Sequence, residues 1–144
     1  MTPISDFNLS PEIVIGQAEH RQLVTLALTG TSHSADEADW LLFELDRARL
    51  VPDGALPANV VRMGSTVRFR AQGGGERIVR LVYPGEADIA AGRISVLTPV
   101  GAALIGLREG QSITYLARDG RRHALTVLAV DDGPDGDDPG PLAA

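Results

Sequence analysis

The chain is 144 residues long, 44% hydrophobic and 22% charged, with a formal net charge of −6. That length suits one domain with a modest core, and the composition excludes a disordered or fibrous protein. Cysteine is absent, which excludes disulfides, thiolate catalysis and cysteine-bound metal, and no apolar run approaches the roughly 18 residues of a membrane span.

The opening "MTPISDFNLSPEIVIG" has neither a positive n-region nor an extended apolar h-region, so it carries no export signal and a cytoplasmic location is expected. "EIVI" is a short β-branched run, and Gly16 can cap the helix that "QAEHRQLVTLAL" predicts, with Leu23, Leu26 and Ala27 as its apolar stripe. After the break "TGTSHS", Ser34 and Glu37 have capping-box spacing at the start of a second helix, whose stripe is Ala38, Leu41, Leu42, Leu45 and Ala48. Two apolar-striped helices joined by a short connection predict an antiparallel hairpin.

"VPDGALPANV" reads as a linker, and beyond it the hydrophobic period changes to two. "STVRFR" alternates Val67 and Phe69 with Arg68 and Arg70, a strand with one wet face. "AQGGGE" turns into a second strand, "RIVRLVYP"; "GEADIAAG" is loop; "RISVL" is a third strand. "TPVGAALIGL" interrupts as a short helix, and "SITYLA", Asp119-Gly120 and "RHALTVLAV" form a hairpin. The expected class is α+β: a short N-terminal helical hairpin, and an antiparallel sheet covering one short helix. The expected divisions are 1–51 for the N-terminal segment and hairpin, 52–59 for the linker, 60–130 for the strand-rich domain and 131–144 for a disordered acidic tail.

Every base in the chain is Arg, which removes Schiff-base chemistry and the phosphate-contacting lysine of a P-loop. Asp131, Asp132, Asp135, Asp137 and Asp138 fall in the tail, and without them the net charge is near −1. An acidic chain is a poor ligand for nucleic-acid backbone, so no direct sequence-specific nucleic-acid binding is expected. Gly101 and Gly106 have the opening spacing of a phosphate-binding loop, but Leu107 and Arg108 stand where Lys and Ser or Thr are required. The glycines are better read as packing and chain-reversal residues. His20, His33 and His123 lack metal-ligand spacing, and no catalytic constellation or cofactor motif emerges.

Two groups remain as candidate partner-binding residues. Asp36, Glu37 and Asp39 open the second helix, where acids also favour the helix dipole. Arg68, Arg70, Arg77 and Arg80 lie on adjacent predicted strands, where they form either a solvated face or a docking surface for an acidic partner protein.

"ELDRA", "LVYP" and above all "SVLTPVGAALIGLREGQSI" resemble the bacterial regulators of nucleoside diphosphate kinase, relatives of the Gre transcript elongation factors. The resemblance runs from about Glu12 to Val130. It implies a short antiparallel coiled coil attached to a domain of the FK506-binding-protein-like fold. It also implies binding to RNA polymerase, with the globular domain at the rim of the secondary channel and the coiled coil directed inward, and an indirect link to nucleoside diphosphate kinase. In Gre factors, acidic coiled-coil tips assist Mg²⁺ at the polymerase active site; the corresponding "TGTSHSADEAD" departs from that pattern. The resemblance therefore favours a non-enzymatic polymerase-binding regulator, with cleavage stimulation through Asp36, Glu37 and Asp39 as the alternative. Prolyl isomerase activity, which the fold also suggests, would need an aromatic-lined pocket, and the strand-rich half offers only Phe69, Tyr83 and Tyr115.

Overall fold

The β-branched run near the start forms only a short strand, β1 (Val14–Gly16), in the computed structural model, which describes residues 11–29, 35–71, 74–117 and 120–131. It leads directly into α1 (Gln17–Thr29); α2 (Ala35–Arg47) follows, and β2 (Arg49–Val51) pairs in parallel with β1. The apolar stripes read from the sequence meet: Leu23 and Ala27 of α1 join Ala38, Leu41 and Leu45 of α2 in the core. His20 Nε2 lies 3.0 Å from the carbonyl of Leu45, which sets the first turn of α1 against the last turn of α2. The connection between the helices, with the expected cap Ser34, lies outside the described residues, as do the tail residues 132–144.

Gly16 occupies the position ahead of α1 but has no side-chain acceptor for the helix's orphan amides. Asp53, from the segment read as a linker, supplies it: Ala18 N–H donates to Asp53 Oδ1 at 2.8 Å and Glu19 N–H to Oδ2 at 3.4 Å. A carboxylate at this end of a helix also meets the positive pole of its dipole. A Cβ on Gly16 would collide with that carboxylate, so the glycine makes room for the cap.

Beyond the linker, β3 (Thr66–Ala71), β4 (Glu76–Val82), β5 (Arg93–Ser95), α3 (Pro99–Leu104), β6 (Ser112–Leu116) and β7 (Arg122–Asp131) follow in order. Their sheet has the order β5-β4-β3-β7-β6. The sheet is not wholly antiparallel as expected, since β5 runs parallel to β4. A parallel neighbour requires the chain to return to the end from which β4 set out. "GEADIAAG" makes that return through two 3₁₀ turns, Pro84–Glu86 and Ile89–Ala91.

One sheet face is apolar, and Val67, Phe69, Val79, Leu81, Ile113, Leu125 and Val127 on it are buried. They form one core with Leu104 and Ile105 at the end of α3 and with the helix stripes. α3 begins at Thr98, whose hydroxyl oxygen accepts from Gly101 N–H at 3.0 Å, and Pro99 occupies the first turn. Gly101 is needed for close approach, because a Cβ there would run into the Ser95 carbonyl. Gly106 ends the segment at a φ of +82°, and its own Cβ would lie 2.9 Å from Ile13 Cβ.

Gly106 also joins the two halves of the chain. Its N–H donates to Val61 O at 2.9 Å and its carbonyl accepts from Val14 N–H at 3.1 Å. On the other side of β1, Arg49 N–H donates to Ile13 O at 2.9 Å and Arg47 Nη1 donates to Pro11 O at 2.6 Å. Residues 11–16 are thus stitched between the helix pair and the turn after α3.

Candidate partner-binding surfaces

Cross-strand register decides which of the four candidate arginines act together. Thr66 pairs with Arg80, Arg68 with Ile78, Phe69 with Arg77 and Arg70 with Glu76. Because paired residues share a face, Arg68, Arg70 and Arg80 stand on the outer face, opposite the core. Arg77 does not join them. It lies on the Phe69 side, with its guanidinium carbon 6.0 Å from the centre of that ring, a cation–π geometry. The expectation that all four could share a face therefore fails for Arg77. Residues three apart on a strand point to opposite faces, so the spacing of Arg77 and Arg80 already carried that signal.

The outer face is not purely basic. Glu76 Oε2 is 3.1 Å from Arg70 Nη2, and Glu76 Oε1 is 3.9 Å from Arg68 Nε. Ile78 is 64% exposed beside them.

Of the acidic group, Asp36 and Glu37 fall in the first turn of α2, and their side chains lie outside the described residues. Asp39 is exposed and stands at the rim of a feature the sequence did not disclose. Trp40, Phe43 and Glu44 from α2, Pro99, Ala102 and Ala103 from α3, and Tyr115 from β6 enclose a cavity of about 390 Å³. A second cavity of about 310 Å³ shares Pro99 and Tyr115 and is walled by Ile89, Ile94, Val100 and Arg77. The two share the buried Pro99 and Tyr115 and together line an apolar groove, with Asp39 and Glu44 on the first hollow and Arg77 and Arg93 on the second. Phe43 and Ile89 are 65% and 81% exposed beside it.

The local chemistry at the start of α3 fixes Pro99. Thr98 Oγ1 donates to Ser95 O at 2.7 Å while capping the helix, and Ser95 Oγ accepts from Leu97 N–H at 3.0 Å. Tyr115 is held by a stacked His123 ring with centroids 6.0 Å apart. Glu44 is tied to Arg47 at 2.7 Å; burial raises its carboxyl above the ordinary value, and the Arg47 hydrogen bond and charge oppose that rise.

At the base of α1, Glu19 Oε2 accepts from Met63 N–H at 3.2 Å. Burial raises the Glu19 carboxyl, while the Met63 hydrogen bond and the Arg62 charge pull the other way. Asp53 is shifted downward, chiefly by the Ala18 hydrogen bond. Tyr83 is shifted upward by burial, and its hydroxyl donates to Gln22 Oε1 at 3.3 Å. Among the described residues no three His, Asp or Glu side chains lie close enough to hold a metal ion. No described helix is long and apolar enough to cross a membrane.

Residues 56–132 match the model of the C-terminal domain of the GreA/GreB transcription elongation factors. Over 87% of this chain and 93% of the relative, the sequence is 36% identical to a regulator of nucleoside diphosphate kinase from Escherichia coli (strain K12). It is 31% identical to the transcription elongation factor GreA of Allorhizobium ampelinum, over 85% of this chain and 83% of that protein. Among solved structures it is similar to a prokaryotic transcription elongation factor GreA/GreB from Nitrosomonas europaea, with a TM-score of 0.64 and 36% identity, covering 85% of this chain and 99% of the other.

Proposed function

The chain belongs to the family of nucleoside diphosphate kinase regulators and Gre transcription elongation factors, and on that premise we propose that it is a non-enzymatic transcription regulator that binds RNA polymerase in the cytoplasm. The observation that carries this reading is the apolar groove over Pro99 and Tyr115, which exposes Phe43 and Ile89 and has charged side chains at both ends. Exposed aromatic and aliphatic side chains around a built cleft, with a charged rim, have the make-up of a protein interface rather than of a catalytic centre. The sheet domain, of the FK506-binding-protein-like type, docks at the rim of the secondary channel. The helix pair, a short antiparallel coiled coil, points inward and competes with other channel-binding factors. Any effect on nucleoside diphosphate kinase is indirect in this reading.

A direct binding measurement with RNA polymerase core tests it. Wild-type protein binds, and Phe43→Ala and Tyr115→Ala weaken binding tenfold or more, as interface aromatics do; absence of binding by the wild type ends the reading.

The exposed Asp39, in the same helix as Asp36 and Glu37, together with the similarity to GreA, favours one second reading, stimulation of transcript cleavage through a polymerase-bound Mg²⁺. Stalled elongation complexes separate the two. Shortened transcripts that disappear with Asp36→Ala and Glu37→Ala support cleavage, and binding without shortening supports the first reading.

A further inference from the structure

Each hollow of the groove carries two charged side chains, and in each hollow one of the two is already engaged. In the first, Glu44 is tied to Arg47 at 2.7 Å. Asp39 is exposed, and its carboxylate has no ion pair or hydrogen bond among the described residues. It stands four residues before the exposed Phe43 on α2, so the free carboxylate and the ring share one flank of the helix. In the second hollow, Arg93 donates from Nε to Glu86 O at 3.2 Å and lies 3.7 Å from Asp88. Arg77 is exposed over the Phe69 ring and has no acidic partner among the described residues. One uncompensated negative charge therefore marks the first hollow and one uncompensated positive charge the second.

Trp40, Phe43, Pro99, Val100 and Tyr115 supply the apolar lining that accompanies those two charges. A segment laid over the lining takes water away from both, and a desolvated charge without a counterpart is costly. The occupant must bring opposite charges at matching places. We propose that the groove takes a protein segment of fixed charge order: apolar side chains over Pro99 and Tyr115, a basic side chain against Asp39 and an acidic side chain against Arg77. The planar guanidinium of Arg77 suits a carboxylate. Glu44 and Arg93 do not set the order, because their own partners already balance them. A uniformly basic segment would face Arg77 with a like charge, and a uniformly acidic one would face Asp39 in the same way, so both are disfavoured. Granted that the groove is the protein interface described above, on which this rests, it chooses among apolar segments by the order of their charges as well as by fit.

Random dodecapeptides displayed on phage and selected on the full-length protein read the order directly, with no polymerase present. Wild-type protein should enrich apolar peptides with one basic and one acidic residue on opposite flanks. Asp39→Arg should shift the enriched set to acidic residues on both flanks, and Arg77→Glu to basic residues on both; the two changes together should return mixed peptides. Asp39→Asn and Arg77→Gln, which remove a charge without reversing it, should relax the preference on one flank only. A mixed peptide taken from the wild-type selection should bind tenfold or more weakly to either reversal and to Tyr115→Ala. No enrichment on the wild type, or enriched charges that ignore these substitutions, overturns the charge order. RNA polymerase core is measured in parallel. Core that binds the wild type and both reversals within about twofold overturns the charge order while polymerase binding itself stands. Core that does not bind the wild type ends the polymerase reading, and the peptide selection still decides the charge order.

Discussion

On the inner face of the sheet Phe69 is 1% exposed and Arg77 stretches over its ring, whereas on the outer face Ile78, next in the strand, is 64% exposed opposite Arg68. The same two residue types, a large apolar side chain and an arginine, are present on both faces. On the inner face the arginine covers the edge of a core; on the outer face the apolar residue is left exposed among Arg68, Arg70 and their shared partner Glu76. Strand parity alone makes the difference, and it divides the molecule into a face that sustains the fold and a face available to something else.

The largest test of that division is truncation on each side. Phe69→Ala should cost about 3–5 kcal/mol in denaturant unfolding, while Ile78→Ala should stay within about 0.5 kcal/mol; similar losses would erase the contrast. Next comes the seam beneath the inner face. Gly106→Ala combines a positive φ with contact against Ile13 and should cost about 2–3 kcal/mol. Gly110→Ala, at a φ of +90° with open space around it, should cost only about 1 kcal/mol. Smaller still, Arg77→Ala should lose about 0.5–1 kcal/mol through its ring contact, and Arg80→Ala should be close to neutral.

The smallest effect is read from pH. Burial holds the folded Glu19 carboxyl above its ordinary 4.5, so folding favours its protonated form and stability declines as pH rises from 4.5 through the folded-state value. Glu19→Gln keeps an acceptor for Met63 N–H and should flatten that decline in unfolding curves taken across the range. Asp53 has the opposite sign, its stabilisation present above 3.8 and lost as pH falls through the lowered folded-state value. An unchanged profile in Glu19→Gln would remove Glu19 from the account.

Local pattern was enough for the elements and for much of the core. Val67 and Phe69 point inward and Arg68 and Arg70 outward as their alternation predicts, and Leu23, Ala27, Leu41 and Leu45 are buried as the helical stripes predict. What escaped depends on distant pieces meeting. The groove takes its walls from Trp40 and Phe43, from Pro99 to Ala103 and from Tyr115, none of which signals the others. In "SVLTPVGAALIGLREGQSI" Gly101 and Gly106 serve packing and chain reversal as their positions predict, and Pro99 and Val100 also line the groove. The Asp53 cap was equally hidden, because a carboxylate 35 residues from Ala18 has no local reason to be its acceptor. The parallel placement of β5 follows from the path of the connection rather than from any residue in the strand.

The stitching of residues 11–16 between the helix pair and the turn after α3 has a mechanical consequence. Val14 and Ile13 are bonded on one side to Gly106 and on the other to Arg49, so the base of the helix pair is braced rather than hinged. α1 and α2 then act as a lever whose fulcrum is the bonded pair Ile13 and Val14. A load at their outer end passes through the Val14–Gly106 hydrogen bond into the turn after α3, and so into the core of the sheet domain.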